Sequence, residues 1–504
     1  MTAQAGRLSP GLAPGVVLGA VALLAASAVS GHGIKLVAPM VIGVVTLAAG
    51  HQRLLQWRSL VSLILVVVLF VPIGRYALPG NLPFNLELYR LVVALVVVVW
   101  LVSLLIDPRV RLRRTYFDAP VLLLVASVVV SDLANPGRVD PLSSSVAKAL
   151  TFFLSFVLVY YVVATTLRGR EPVMYVLKLI GMGGVFIGLC AIYEQRTGYN
   201  VFDHVASVVP FLQRTGGLST TILRGGNLRV IGPSQHPIAL GAALIMILPI
   251  AVYFARTSRR RWWVGAVAIV LGALATGSRT AVVMLIAEII VYLRLKPAET
   301  KRLWPALIPA VVVIHVFLPG QIGTFKDAFF PKGGLIAEQT QLAQNANKEL
   351  AGGRIRQLKP MITEASHHPL FGEGFGTRQT GFDNPLRNAP ILDNQWLNNM
   401  LDIGYIGFAL WVWLFVRAGR RLTREARWAD DEGDQWLFAG LAAMVIALPF
   451  GMLTFDANSF TQVPFVFWIV LGLSAILIRV SERARSVRSS GRGQAPHGPA
   501  WAEP

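Results

Sequence analysis

Apolar runs long enough to cross a bilayer recur along this 504-residue chain, and they leave few folds open to it. A helix needs roughly 17–25 mostly apolar residues to cross about 30 Å of hydrocarbon. In lipid the backbone must satisfy its own hydrogen bonds, so a span is a helix or a strand of a closed barrel. Barrel strands alternate apolar and polar residues. The run from Leu91 to Trp100 does not alternate. Charged residues make up 14% of the chain, where a soluble protein carries roughly a quarter. The expected fold is an all-α polytopic membrane protein.

Hydropathy places about 14 transmembrane helices, near 14–30, 34–50, 59–73, 88–106, 117–132, 147–167, 173–193, 236–255, 262–277, 279–294, 304–318, 396–416, 436–453 and 462–479. The first is read as an uncleaved span, although Arg7 and Ala26-Ser27-Ala28 imitate a signal peptide. Basic residues then set the orientation. Alternate connections hold Arg53 and Arg58, Arg109 to Arg114, Arg168 and Arg170, Arg256 to Arg261, Arg294 to Arg302, and Arg417 to Arg427. With Arg7 and the tail they collect 27 of the 46 basic residues on one side. That side is expected to be the cytoplasm, with both termini in it, in a multi-pass protein of the cytoplasmic (inner, or plasma) membrane.

The chain divides into helices at 1–193, an extracytoplasmic loop at 194–235, helices at 236–318, one large extracytoplasmic loop at 319–395, helices at 396–479 and a disordered tail at 480–504. Val201 to Leu212 reads as a surface amphipathic stretch, and Gly333 to Glu349 as a polar helix. No internal repeat is visible.

A net charge of +20 suggests nucleic acid in a soluble protein. Here topology and attraction to the lipid bilayer account for it, and no nucleic-acid partner is expected. Cys190, alone in an apolar run, reads as a small buried side chain. No Cys/His metal spacing occurs, so no metal and no cofactor are expected.

Cations on the outer face are the informative feature. Arg279 lies in Thr276-Gly277-Ser278-Arg279-Thr280, between two spans with almost no loop. Such an arginine either snorkels to the interface or holds a phosphate with its two-pronged guanidinium. Arg224 and Arg229 flank Gly225-Gly226-Asn227, and His236 opens the next span. Arg354 and Arg356, then His367 and His368, lie in the large loop. Glu373 sits inside Gly372-Glu373-Gly374-Phe375-Gly376, and Asp393-Asn394 precedes the span at 396. Each acid suits proton transfer or a helix cap. The glycine run resembles a phosphate cradle but follows no strand, so a dinucleotide reading fails its context.

Gly277-Ser278-Arg279-Thr280, Gly353-Arg354, His368-Pro369-Leu370-Phe371-Gly372-Glu373-Gly374-Phe375-Gly376, Asp393-Asn394-Gln395-Trp396-Leu397 and Gly404-Tyr405-Ile406-Gly407 together resemble the O-antigen ligase and O-antigen polymerase superfamily. The resemblance covers roughly residues 230 to 415. It implies a glycosyltransferase that takes a glycan from an undecaprenyl-diphosphate-linked donor on the outer face. The acceptor is a glycan or glycolipid. By the same resemblance Arg279 and Arg354, with Arg229 a looser match, hold the diphosphate as it leaves. Ligases commonly carry a histidine where this chain has Asp393, a departure that leans toward a polymerase or a ligase for another acceptor. The catalytic set implied is Arg279, Arg354, His368, Glu373 and Asp393. The substrate-binding set is Arg224, Arg229, His236, Arg356, His367 and Asn394. The base remains open among His236, His368, Glu373 and Asp393. A lipid-linked-glycan or polysaccharide flippase is the rival, predicting midplane charges and repeats; Glu288, Lys178 and His315 are the few such charges. A non-catalytic envelope partner is a third reading.

Overall fold

The computed structural model describes residues 56–79, 86–139, 143–215, 222–224, 227–330, 354–378 and 392–492. Helices dominate: α1 (Trp57–Phe70), α2 (Leu88–Ile106), α3 (Asp118–Ala134) and a run α4 made of Ser143–Leu150, Thr151–Val157 and Leu158–Thr166. Then come α5 (Arg170–Thr197), α6 (Pro237–Thr257), α7 (Trp262–Ala275), α8 (Arg279–Leu295), α9 (Leu307–Phe317), α10 (Gln321–Phe329) and α11 (Arg354–Ala365). Finally α12 is Gln395–Trp428, α13 Glu432–Met452 and α14 Gln462–Arg492. Two antiparallel pairs, β1 (Tyr76–Ala77) with β2 (Gln213–Arg214) and β3 (Ile222–Arg224) with β4 (Asn227–Arg229), are the described strands.

Among the described residues seven helices are long and apolar enough to cross a membrane, or eight if a pair bent by 55° counts as one span. Hydropathy counted fourteen. The first two predicted spans lie outside the described residues. The others are helical, but α1 and α7 have 14 residues each and α3 and α8 have 17. Hydropathy measures apolarity over a window and not the length of unbroken helix. Between α7 and α8 the break falls on Gly277, at φ 59°, a backbone state that glycine adopts without strain. The helix α14 overruns its predicted end and reaches Arg492, inside the segment read as a tail. Val201 to Leu212 forms a short 3-10 turn and one helical turn, Val201–His204 and Val205–Val208. The predicted helix at 333–349 lies outside the described residues.

Burial sorts the helices. In its most apolar window α6 is 94% buried, whereas α2 is 33% buried. A helix apolar on every side is either enclosed or faces lipid, so α6 is the centre and α2 the rim. Small residues let the centre pack closely. Gly188 of α5 and Gly272 of α7 touch backbone to backbone; a Cβ on Gly188 would sit 2.6 Å from the Ala268 carbonyl oxygen.

At one end of the bundle α2, α4, α6, α12 and α14 begin, and α3 and α13 finish. The glycine-rich turn at 372–376, the loop 453–461 and the β4–α6 connection gather there. Arg170, Arg256 and Arg485 lie at the other end, on Asp434, on Trp436 and on Glu425.

Candidate functional site

The β4–α6 connection is fixed from below by buried charge. The Glu194 carboxylate, at the end of α5, accepts the amides of Ile231 (3.0 Å) and Gly232 (2.9 Å). Arg75 donates to Asp203 (2.8 Å), to the Ser234 carbonyl (2.9 Å) and to the Gly232 carbonyl. Ser234 and Gln462 join by their side chains, which ties the connection to α14. His236 then caps α6, its Nδ1 accepting the Ile238 amide at 3.2 Å.

A second brace holds the glycine-rich turn. Gly372, Gly374 and Gly376 all have positive φ. Gly372 lies against Leu401 and Gly404, where α12 is kinked at a residue with φ 68°. A Cβ on Gly404 would collide with the Leu370 carbonyl. The Glu373 amide donates to the Leu401 carbonyl (2.7 Å) and the Tyr405 amide to the Pro369 carbonyl (2.7 Å). Four of the five amides of this turn, those of Gly372, Glu373, Phe375 and Gly376, are engaged inside the chain. Phe375 donates to the Asp132 carboxylate (2.7 Å) and Gly376 to that of Asp402 (3.3 Å). Glu373 is buried between Arg138 and Arg378, the latter at 3.4 Å, and Arg378 also donates to Glu364 (2.7 Å).

These elements enclose a polar cavity of about 340 Å³. Its charged lining is Arg90 of α2, Lys148 of α4, Arg378, Asp402 of α12 and Asp456. Gln235, Gln395, Asn398 and Asn458 are among its uncharged polar lining, and Phe152, Phe156 and Phe375 among its apolar lining. Lys148 is within electrostatic reach of both carboxylates. Asp456 accepts the Ser459 hydroxyl. Burial pushes the Asp456 carboxyl above the usual range, against the opposing pull of Ser459, Asn398 and Lys148, and nearby Asp393 adds to the rise. Gln395 pins the loop, its backbone amide donating to the Phe455 carbonyl (3.1 Å) and its Oε1 accepting the Asn458 amide (2.7 Å). Segment Thr151–Val157 of α4 is π-helical. It supplies Thr151, Phe152 and Phe156 to the wall; wide turns of this kind recur at functional sites.

A neighbouring polar group forms at the Gly277 turn. Arg279 is the first residue of α8. Arg229 crosses the turn from β4, its Nε donating to the Thr276 carbonyl at 2.9 Å. Gln321 donates to the Leu274 carbonyl at 2.8 Å. The Ser278 hydroxyl and the Gln321 Oε1 are buried without a hydrogen-bond partner among the described residues. Thr280 joins Thr454 by their hydroxyls at 2.7 Å, which links this turn to the loop that carries Asp456.

The structure thus brings Arg229 and Arg279 to one turn, but neither is among the cavity's lining residues. Arg224 ends β3, and Arg354 and Arg356 begin α11; their side chains lie outside the described residues. His367 and His368 follow α11 and are exposed. Of the pair at 393–394, Asn394 is the cap of α12, accepting the amides of Trp396 (3.0 Å) and Leu397 (3.3 Å). Asp393, half-buried, lies beside Asp456.

Sequence reasoning missed Arg90, Lys148, Arg378, Asp402 and Asp456. Two had a signal. Gln395, Asn398 and Asp402 recur at three and four residues, one face of a helix, and Arg378 stands two residues past the last glycine of the run. Arg90 and Lys148 are single cations near apolar helix starts, and nothing local marks them.

Fold and site define a multi-pass membrane protein with a charged, aromatic-walled cavity at one end of its helix bundle. Residues 234–412 match the family model described as O-Antigen ligase. The match bears out the resemblance to the O-antigen ligase and polymerase superfamily over about a third of the chain. It includes Gln235, Phe375, Gly376, Arg378, Gln395, Asn398 and Asp402 from the cavity wall. No curated protein matches the chain significantly.

Proposed function

We propose that the chain is a membrane glycosyltransferase that polymerises or ligates cell-surface polysaccharide, taking the glycan from an undecaprenyl-diphosphate-linked donor on the outer face of the cytoplasmic membrane. The observation that carries the reading is the cavity itself. Three cations and two carboxylates line it, and seven of its 17 lining residues, Arg378 and Asp402 among them, belong to the segment that matches the O-antigen ligase model. The arginine-rich connections at the opposite end support an outward-facing cavity.

In the reaction an acceptor hydroxyl attacks the anomeric carbon of the donor sugar. The bond from that carbon to the diphosphate oxygen breaks, and the lipid diphosphate departs with the electron pair. Asp456 takes the hydroxyl proton. Its raised proton affinity makes it a stronger base than a solvent-exposed carboxylate, and it lines the cavity from its loop. Lys148, Arg90 and Arg378 stabilise the charge that grows on the leaving oxygen. Glu373 serves as the brace for Arg138 and Arg378 in this scheme. Arg229 and Arg279, with Ser278 and Gln321, hold the more distant phosphate or its lipid. The family likeness supports glycosyl transfer over the flippase reading.

The test uses a strain lacking the gene, complemented with Lys148→Ala or Asp456→Asn. Surface glycan and lipid-linked intermediates are measured together with the amount of protein in the membrane. Loss of product with normal protein is the expected result. Normal glycan from both variants overturns the cavity as the site. Single repeat units left in the parent deletion strain indicate a polymerase, and finished polymer still on its lipid indicates a ligase.

A further inference from the structure

Two apolar hollows, of about 780 and 600 Å³, open on the flank of the bundle away from the cavity. The first lies between α12 and α13, with Val412, Phe415 and Gly419 in its wall. The second lies between α8 and α13, with Ile286, Ile290 and Val291 in its wall. Ile446 and Phe450 of α13 line both and form the ridge between them. The hollows converge on one basic end, where Arg427 and Thr423 also line both. Arg420 and Arg424 join from the first hollow and Arg294 from the second.

Charge at this end is uneven. Arg421, on the inner side of α12, pairs with Glu425 (2.7 Å) and Glu482 (2.5 Å), and Arg485 pairs with Glu425 (2.8 Å). Glu425 and Glu482 are thus taken up on the inner side of α12. Arg294, Arg420, Arg424 and Arg427 make no ion pair among the described residues. The Arg424 Nε is buried without a hydrogen-bond partner there, and its guanidinium lies over Trp428 at 5.1 Å. Four cations facing a forked apolar groove call for one negative head on two chains.

We propose that this double groove binds an anionic two-chained glycerophospholipid. Its phosphate sits on Arg420, Arg424, Arg427 and Arg294, and one acyl chain lies on each side of the Ile446–Phe450 ridge. Reach agrees with this occupant. From the arginines at 420–427 the α12 wall of the first hollow runs on from Arg420 to Val412, a rise of about 12 Å at 1.5 Å per residue, which fits within one leaflet's hydrocarbon, about 15 Å deep or half the bilayer core. At the far end Trp396 closes the first hollow, its Nε1 donating to the Pro449 carbonyl at 2.9 Å. Trp396 adjoins Gln395 of the cavity wall, so the lipid supports the helix that carries Gln395, Asn398 and Asp402. A polyprenyl donor has a single chain and, under the proposed function, its head at the opposite end of the bundle, so it fits the fork poorly.

The experiment places the full-length protein in nanodiscs of phosphatidylcholine with a minor share of phosphatidylglycerol, extracts it into detergent and counts retained lipid by native mass spectrometry. Wild type keeps phosphatidylglycerol in preference to phosphatidylcholine. Retention falls about tenfold or more in Arg420→Glu/Arg424→Glu/Arg427→Glu. Thr423→Trp, which fills the junction and keeps every arginine, also loses the lipid. Arg109→Glu/Arg111→Glu/Arg114→Glu carries the same charge change elsewhere and keeps it. Equal loss in that control means general surface attraction and overturns the site. So does equal retention of the two phospholipids by wild type, or undiminished retention in Thr423→Trp. Displacement of phosphatidylglycerol by undecaprenyl phosphate at equal share gives the groove to a polyprenyl lipid and overturns the assignment.

Discussion

Two glycine-bearing turns stand beside the candidate site, and they dispose of their polar groups differently. At 372–376 the chain's own carboxylates take the amides: Asp132 that of Phe375, and Asp402 that of Gly376. Glu373 is held by two arginines. At Gly277 the carbonyls of Leu274 and Thr276 are taken by Gln321 and Arg229, while the Ser278 hydroxyl and the Gln321 oxygen stay buried without a partner among the described residues. Most buried polar groups find partners in folded proteins. The first turn is therefore a finished brace, and the second retains bonding capacity for something that arrives. The glycine run that resembles a phosphate cradle is held by the chain's own carboxylates, whereas the shorter motif has buried polar atoms without a partner among the described residues.

That contrast breaks or holds under substitution. The largest effect is expected from Asp456→Asn, which should slow transfer by about 10²–10⁴-fold, the usual worth of a general base, in a membrane assay with lipid-linked donor. The wild-type rate should fall as pH drops through the raised pKa of Asp456, because a base works only when ionised; the Asn variant should lack that acid limb. A larger loss from Ser278→Ala would move the chemistry to the Gly277 turn. Next comes Gly404→Ala, which puts a side chain at positive φ and against the Leu370 carbonyl. It should cost about 2–4 kcal/mol, read as a lowered Tm of the detergent-solubilised protein. Arg279→Lys keeps the charge and loses the fork, so transfer should drop about tenfold to a hundredfold, mainly through a higher KM for donor. Glu373→Gln should lower stability by about 1–3 kcal/mol and leave the shape of the pH profile unchanged. If instead it erases the acid limb, Glu373 is the base and the brace reading fails. Asn394→Ala removes a helix cap, for about 0.5–2 kcal/mol, and should alter thermal stability more than rate.

Much of the fold was legible because lipid imposes a simple rule. Runs such as 88–106 and 236–255 announce themselves by length, and α2 and α6 occupy them. The break between α7 and α8 was legible too, as spans at 262–277 and 279–294 that meet at Gly277, but an apolar window could not show how much of each run is unbroken helix. The Gly404-Tyr405-Ile406-Gly407 motif was visible, but its reason was not. Gly404 is where α12 bends to admit the glycine turn, and that close approach exists only in three dimensions. The cavity was the least legible part. Arg90, Lys148 and Asp456 come from distant points in the sequence, two of them single cations at helix starts. Asn394 shows the converse: a polar residue in the right motif whose carboxamide is occupied by the first amides of its own helix.

The wide turn at Thr151–Val157 acts as a rotational setting. An α-helix advances about 100° per residue, so the extra residue of a π segment decides which way everything before it faces. Deleting one residue there would tighten α4 to regular helix and swing Lys148 by about 100° relative to Phe156. The protein would keep every charged group of the cavity in its composition and lose their alignment. Register alone, with no change in chemistry, would then separate an assembled site from the same residues merely present.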